Sequence, residues 1–138
     1  MRIQANTFLA ILGVGAAIFF AGTGGANAQG EPRRISLKSG ETVELQTVYS
    51  IRSCRSILKE TPIVEVLEGP EELTLMIKPG TVVPRTDNCS NPVAGGTVVA
   101  MTNEVKAPKE SRLTYRVKYK TLEGDRQTAR VYLVSLFP

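Results

Sequence analysis

The stretch "LTYRVKYK" at residues 113–120 alternates without exception. Leu113, Tyr115, Val117 and Tyr119 take one set of positions, and Thr114, Arg116, Lys118 and Lys120 the other. Strands send successive side chains to opposite faces, whereas helices repeat every 3.6 residues, so strict period 2 commits this segment to a half-buried strand. The habit recurs along the chain. "ISLKSGETVELQTVYSI" carries Ile35 and Leu37, a Ser39-Gly40 turn, then Val43, Leu45, Tyr49 and Ile51. "IVEVLEGP" sets Ile63, Glu65 and Leu67 against Val64, Val66 and Glu68. "LTLMIKPG" puts Leu73, Leu75 and Ile77 on one face, and "GGTVVAMT" is short and β-branched. A turn at Glu123-Gly124-Asp125 then leads into "ARVYLVSLF". No window of about 11 residues has the spacing of an amphipathic helix. About seven strands, punctuated by Gly, Pro, Asn and Asp, predict an all-β fold: a single antiparallel two-sheet sandwich.

The N-terminus reads differently. One charge, Arg2, precedes an uncharged run of 14 residues from Phe8 to Ala21, and the small-residue tract "GTGGANA" follows. These are the three parts of a secretory signal, with Ala26, Asn27 and Ala28 supplying the cleavage site. A membrane span needs about 20 apolar residues, more than this run offers. Residues 1–28 are therefore expected to be a signal peptide, and residues 29–138 one domain starting at Gln29. The expected location is periplasmic or secreted, with no transmembrane segment in the mature chain.

Losing Arg2 lowers the net charge from +4 to +3, too mild to argue for nucleic acid. Tryptophan is absent and aromatics make up 6% of the chain, so bases or sugars find little to stack on. The two cysteines, Cys54 and Cys89, lie 35 residues apart in the mature part. That spacing fits neither a C-x-x-C redox motif nor half a zinc site, and an oxidising compartment favours a disulfide between them.

The second half of the domain carries a set of strand and turn residues. They are Gly96-Thr97-Val98, Leu113-Thr114-Tyr115-Arg116-Val117, Gly124 and Ala129-Arg130-Val131. In this arrangement the segment resembles bacterial secreted immunoglobulin-like or cadherin-like domains, over about half of the mature chain. The resemblance implies an immunoglobulin-like sandwich and names no ligand. "PKESR" stands where that family usually has "G-x-D", and the calcium-binding acidic motifs of cadherins are missing.

A chain without histidine lacks the commonest general base and metal ligand. Glu68, Glu71 and Glu72 around Gly69-Pro70 read as an acidic surface turn. Asp87, Asn88 and Asn91 lack the spacing of a calcium loop. No catalytic residue, cofactor or metal is expected. Two features bear on binding. The Pro-, Gly- and Asn-rich segment from Lys78 to Gly96 reads as one long loop, pinned through Cys89. Within it "NPVAG" resembles the Asn-Pro-x-x-Gly loop of chagasin-type cysteine-protease inhibitors. The other feature is a basic ladder: Arg116, Lys118 and Lys120 on one strand face, with Arg130 expected on the same face of the hairpin partner. Such a face suits an acidic protein or a polyanionic polysaccharide, or else a solvated outer surface whose lysines discourage edge-to-edge aggregation. The expected function is a non-enzymatic exported binding module of the bacterial cell envelope. The partner is expected to be an envelope or extracellular protein or a polyanionic polysaccharide. The alternative is a secreted inhibitor or effector acting on a host or competitor protein.

Overall fold

A computed structural model describes residues 31–86 and 88–138. The expected leader and its cut before Gln29 lie outside the described residues. Among the described residues nine strands are formed: β1 (Arg33–Lys38), β2 (Thr42–Val48), β3 (Ile51–Arg52), β4 (Arg55–Ser56), β5 (Ile63–Glu68), β6 (Leu73–Val82), β7 (Val93–Thr102), β8 (Lys109–Thr121) and β9 (Gly124–Phe137). One sheet has the order β1-β9-β8-β5, a second β2-β7-β6, and β3 with β4 makes a separate small hairpin. The described chain is all-β, and the two larger sheets account for seven of its strands. The expectation of a wholly antiparallel arrangement is corrected. β1 runs parallel to β9, from Arg33 beside Tyr132 to Lys38 beside Phe137. Parallel neighbours cannot be joined by a tight turn, and here everything between them in sequence forms the connection.

One hydrophobic cluster lies between the two larger sheets. Leu37, Leu113, Tyr115, Val117, Tyr132, Val134 and Leu136 come from the first, and Leu45, Val48, Leu73, Val98 and Ala100 from the second. The arrangement is compatible with a β-sandwich. Burying each large apolar side chain contributes about 1.5–3 kcal/mol.

A bulge in β2 changes which residues enter this core. Glu44 pairs with Val99 and Gln46 with Val98, so Leu45 is the extra residue and the alternation shifts by one. Gln46 and Val48 turn inward beyond that point, where simple alternation brings Thr47. Bulges leave ladder groups without their usual partners. Buried tyrosine hydroxyls need partners as well. Each meets the other here. Tyr132 donates to the carbonyl of Leu45 at 3.0 Å, and Tyr115 donates to Oε1 of Gln46 at 2.6 Å. The two rings stack with centroids 6.0 Å apart. Burial, reinforced by Tyr132, pushes the Tyr115 hydroxyl well above the usual tyrosine pKa. Tyr132→Phe leaves a buried carbonyl unpaired and should cost about 1–3 kcal/mol in urea unfolding.

The segment expected as a loop from Lys78 to Gly96 is mostly strand. β6 continues through Pro79 and Gly80 to Val82, and β7 begins at Val93, leaving residues 83–92 as the loop. Pro79 is tolerated because β6 is an edge strand, so its missing N–H need not break a ladder. Gly95 and Gly96 are buried inside β7. Of the "NPVAG" residues, only Asn91 and Pro92 belong to the loop.

Candidate functional site

The basic ladder forms, and acidic neighbours neutralise it. On the outer face of the first sheet Arg116 lies opposite Glu65 of β5. Glu65 accepts from Arg116 Nε at 2.9 Å and Nη2 at 3.1 Å, and pairs with Lys118 Nζ at 2.8 Å. Lys120 reaches Glu60 at 3.4 Å. Hydrogen bonds from Arg116 first, and from Lys118 next, hold the Glu65 carboxyl down to about 2. Across the other ladder Lys118 faces Gln127 and Lys120 faces Asp125, so no cation opposes a cation. Exposed pairs of this kind contribute little to stability each. A folded-state pKa below the ordinary 4.5 gives a defined pH window. The Glu65 contribution is complete above the ordinary carboxylate range and is lost as pH falls toward about 2. Carboxyl chemical shifts should titrate there, and Arg116→Gln should return the midpoint toward the ordinary value.

Arg130 is not part of this face. The hairpin register sets Tyr115 opposite Arg130 and Ala129 opposite Arg116. Directly paired residues share a face, so Arg130 sits on the side of the sheet that carries the core tyrosines. The cause is the turn. A turn centred on Gly124 would bring Lys118 opposite Arg130. The chain instead turns at Leu122-Glu123, with Thr121 paired to Gly124. Thr121 Oγ1 accepts from Glu123 N–H at 3.0 Å and donates to the carbonyl of Gly124 at 2.7 Å, fixing that choice. Gly124 follows at φ 112°, where a side chain would be strained.

On its own side Arg130 joins two other guanidiniums around a groove of ≈ 410 Å³. Arg33, at the start of β1, lies beside Tyr132. Arg85 comes from the loop after β6, where its N–H donates to the Tyr49 hydroxyl at 3.2 Å. The remaining wall is polar β2 and β7 surface: Glu44, Gln46, Thr47 and Thr97, with Leu45 and Tyr49. Arg33, Arg85 and Arg130 are exposed, and none has an ion-pair partner among the described residues. Three cations against the single carboxylate of Glu44 make this an anion-attracting surface.

The disulfide helps to place Arg85. Cys54 and Cys89 are bonded, with their Cα atoms 5.4 Å apart. Cys89 ends a short turn in which its N–H donates to the carbonyl of Thr86 at 3.2 Å. Asn88 takes the left-handed conformation, φ 55°, which asparagine tolerates better than most residues. At the other end, Ser53 and Cys54 form the two-residue connection of the β3–β4 hairpin, at φ 52° and 61°. Two left-handed residues make a type I′ turn, usually built from Asn-Gly. Ser-Cys is a poor choice for it and needs outside support. The disulfide supplies some, and the Arg52–Glu123 ion pair ties the hairpin to the β8–β9 turn. Main-chain bonds from Leu122 N–H to the Ile57 carbonyl and from Lys59 N–H to the Lys120 carbonyl, both 2.9 Å, complete the connection.

Of the acidic trio, Glu68 ends β5 opposite Thr114, while Glu71 and Glu72 lie on a turn in which Leu73 N–H donates to the Pro70 carbonyl at 3.2 Å. Glu72 pairs with Lys109 at 2.8 Å, and that hydrogen bond lowers its pKa. Asn88 and Asn91 are exposed, and Asp87 lies outside the described residues. Among the described residues no helix is long and apolar enough to cross a membrane. Sequence reasoning did not find Arg33 or Arg85: Arg33 continues the Ile35–Leu37 alternation at a position that only the fold leaves exposed, and Arg85 lies in a loop. Comparison of the chain with protein-family models, curated proteins and solved structures found no match.

Proposed function

We propose that this chain is an exported, non-enzymatic binding module of the bacterial cell envelope, and that the arginine-lined groove is its ligand-facing surface. One observation carries the reading. Arg33, Arg85 and Arg130 come from three separate elements to one groove and have no ion-pair partner among the described residues, while the nearby ladder neutralises itself. Guanidinium groups recognise carboxylate, phosphate and sulfate through paired N–H donors, so the fitting ligands are oxyanions. The sheet orders β1-β9-β8-β5 and β2-β7-β6 support an immunoglobulin-like reading of the domain. The disulfide suits an oxidising compartment and supports export.

The test uses dextran sulfate as a generic polyanion. Arg85→Glu with Arg130→Glu should weaken its binding strongly, and the difference should shrink as salt rises. Lys118→Glu with Lys120→Glu changes the net charge equally on the outer face and should weaken binding far less. Equal losses from the two double variants would mean that only total charge matters, and the groove reading would fall.

A further inference from the structure

We infer that the groove takes an acidic, extended segment of a partner protein, which adds as a strand to the first half of β9, along the edge that no described strand occupies. This rests on the groove being the binding surface and specifies its occupant. The ladder between β1 and β9 begins at Arg33, beside Tyr132. Pro32 precedes it and has no N–H to donate, so the pairing has a physical stop. β9 extends eight residues further back, Gly124–Val131, paired on one side with β8 and on the other with no described strand. That leaves a row of backbone N–H and C=O groups about 26 Å long, the template for strand addition.

The side chains along this edge match the groove. Thr128 and Arg130 lie opposite Val117 and Tyr115, on the core-facing side of the sheet, yet both are exposed. The inner face is therefore uncovered here, and it opens where Arg33 and Arg85 converge. An added strand continues the line of β1 and presents every second side chain to that face. Carboxylates at alternate positions meet the guanidiniums as the strand pairs with β9. A sulfated or phosphorylated polysaccharide could satisfy the arginines but has no main-chain N–H and C=O ladder to complete the edge. The peptide strand uses both features.

The experiment measures binding by fluorescence anisotropy of a labelled synthetic peptide, about ten residues long, that alternates glutamate with threonine. A second peptide of identical composition with its glutamates in one block is the comparison. The alternating peptide should bind at least about tenfold more tightly, given the worth of a well-placed charge pair. Amides between Arg126 and Arg130 should become protected from hydrogen exchange, and N-methylation of alternate peptide residues should abolish binding. Arg85→Glu with Arg130→Glu should lose the glutamate peptide and gain the matching lysine peptide, a swap that a misfolded variant cannot produce. Equal binding of the block peptide, or binding without protection of the β9 amides, overturns strand addition and leaves the groove as an anion site. Arginine-dependent binding of dextran sulfate without the peptide does the same. Self-association through this edge in sedimentation would make a second copy the occupant and overturn the proposal. If neither probe binds, both readings fall.

Discussion

Replacing Cys54 and Cys89 together by serine should lower the unfolding free energy by about 3–4 kcal/mol, the chain-entropy value for closing a loop of this length. For a domain near 100 residues this corresponds to a fall of about 15 °C or more in Tm, readable by calorimetry. The loss should be uneven across the fold. Ser53 and Cys54 hold left-handed backbone that the bond helps to enforce, so the β3–β4 hairpin should show the largest rise in hydrogen exchange. The core strands β7, β8 and β9 should keep their slow amides. The loop carrying Arg85 should loosen too, since Cys89 anchors it, and groove binding should weaken by more than Tm alone implies. An unchanged Tm in the double variant, or identical exchange in the hairpin, would contradict this account.

Gly95→Ala should cost about 3 kcal/mol, the upper part of the usual range for overpacking. A Cβ at this position collides with the carbonyl oxygen of Val48 and comes within 3.0 Å of Val82 Cγ2. The obstruction is backbone, so it cannot be relieved by rotating a side chain. Relief requires the Val48 end of β2 to move away from β7. Gly80→Ala is the internal control, because a Cβ there meets nothing within 4 Å. Gly80→Ala should be neutral or stabilising by a few tenths of a kcal/mol, through reduced freedom of the unfolded chain. Chemical denaturation of the two variants side by side gives the comparison. Equal effects would show that β7 does not pack against β2 as closely as described.

The contrast between what the sequence shows and what it conceals follows from how far each determinant reaches. The strict alternation of residues 113–120 is local, and it marks β8 with its inward Leu113, Tyr115, Val117 and Tyr119. Cysteine count is nearly as direct, because two cysteines in an oxidising setting have a single pairing. Register is different. Moving the turn from Gly124 to Leu122-Glu123 shifts the pairing by an odd number of residues, and an odd shift sends Arg130 to the other face. The choice depended on the Thr121 hydroxyl capping the turn, which alternation does not reveal. The β2 bulge had the same effect on Gln46 and Val48, and its stabilising partner Tyr132 lies 87 residues away. Lys118 and Lys120 were legible as a charged face, yet Glu60 and Glu65, which neutralise it, approach only through the fold. The groove is the extreme case. Its arginines stand at 33, 85 and 130, and only the assembled sheets bring them together.

The pairing of β1 with β9 also governs when the fold can be completed. Arg33 meets Tyr132 and Lys38 meets Phe137, so the first strand waits for the last strand of the fold. Closing a loop of nearly the whole domain is slow, because its entropy must be spent before the contacts return anything. A nascent chain from which β9 has not yet emerged holds β1 and β8 without the strand that lies between them. Such a chain leaves Leu113, Tyr115 and Leu37 uncovered and is open to degradation until β9 arrives. Deleting Leu136 and Phe137, which pair with Leu37 and Lys38, should therefore be far more damaging than deleting two residues outside the sheets.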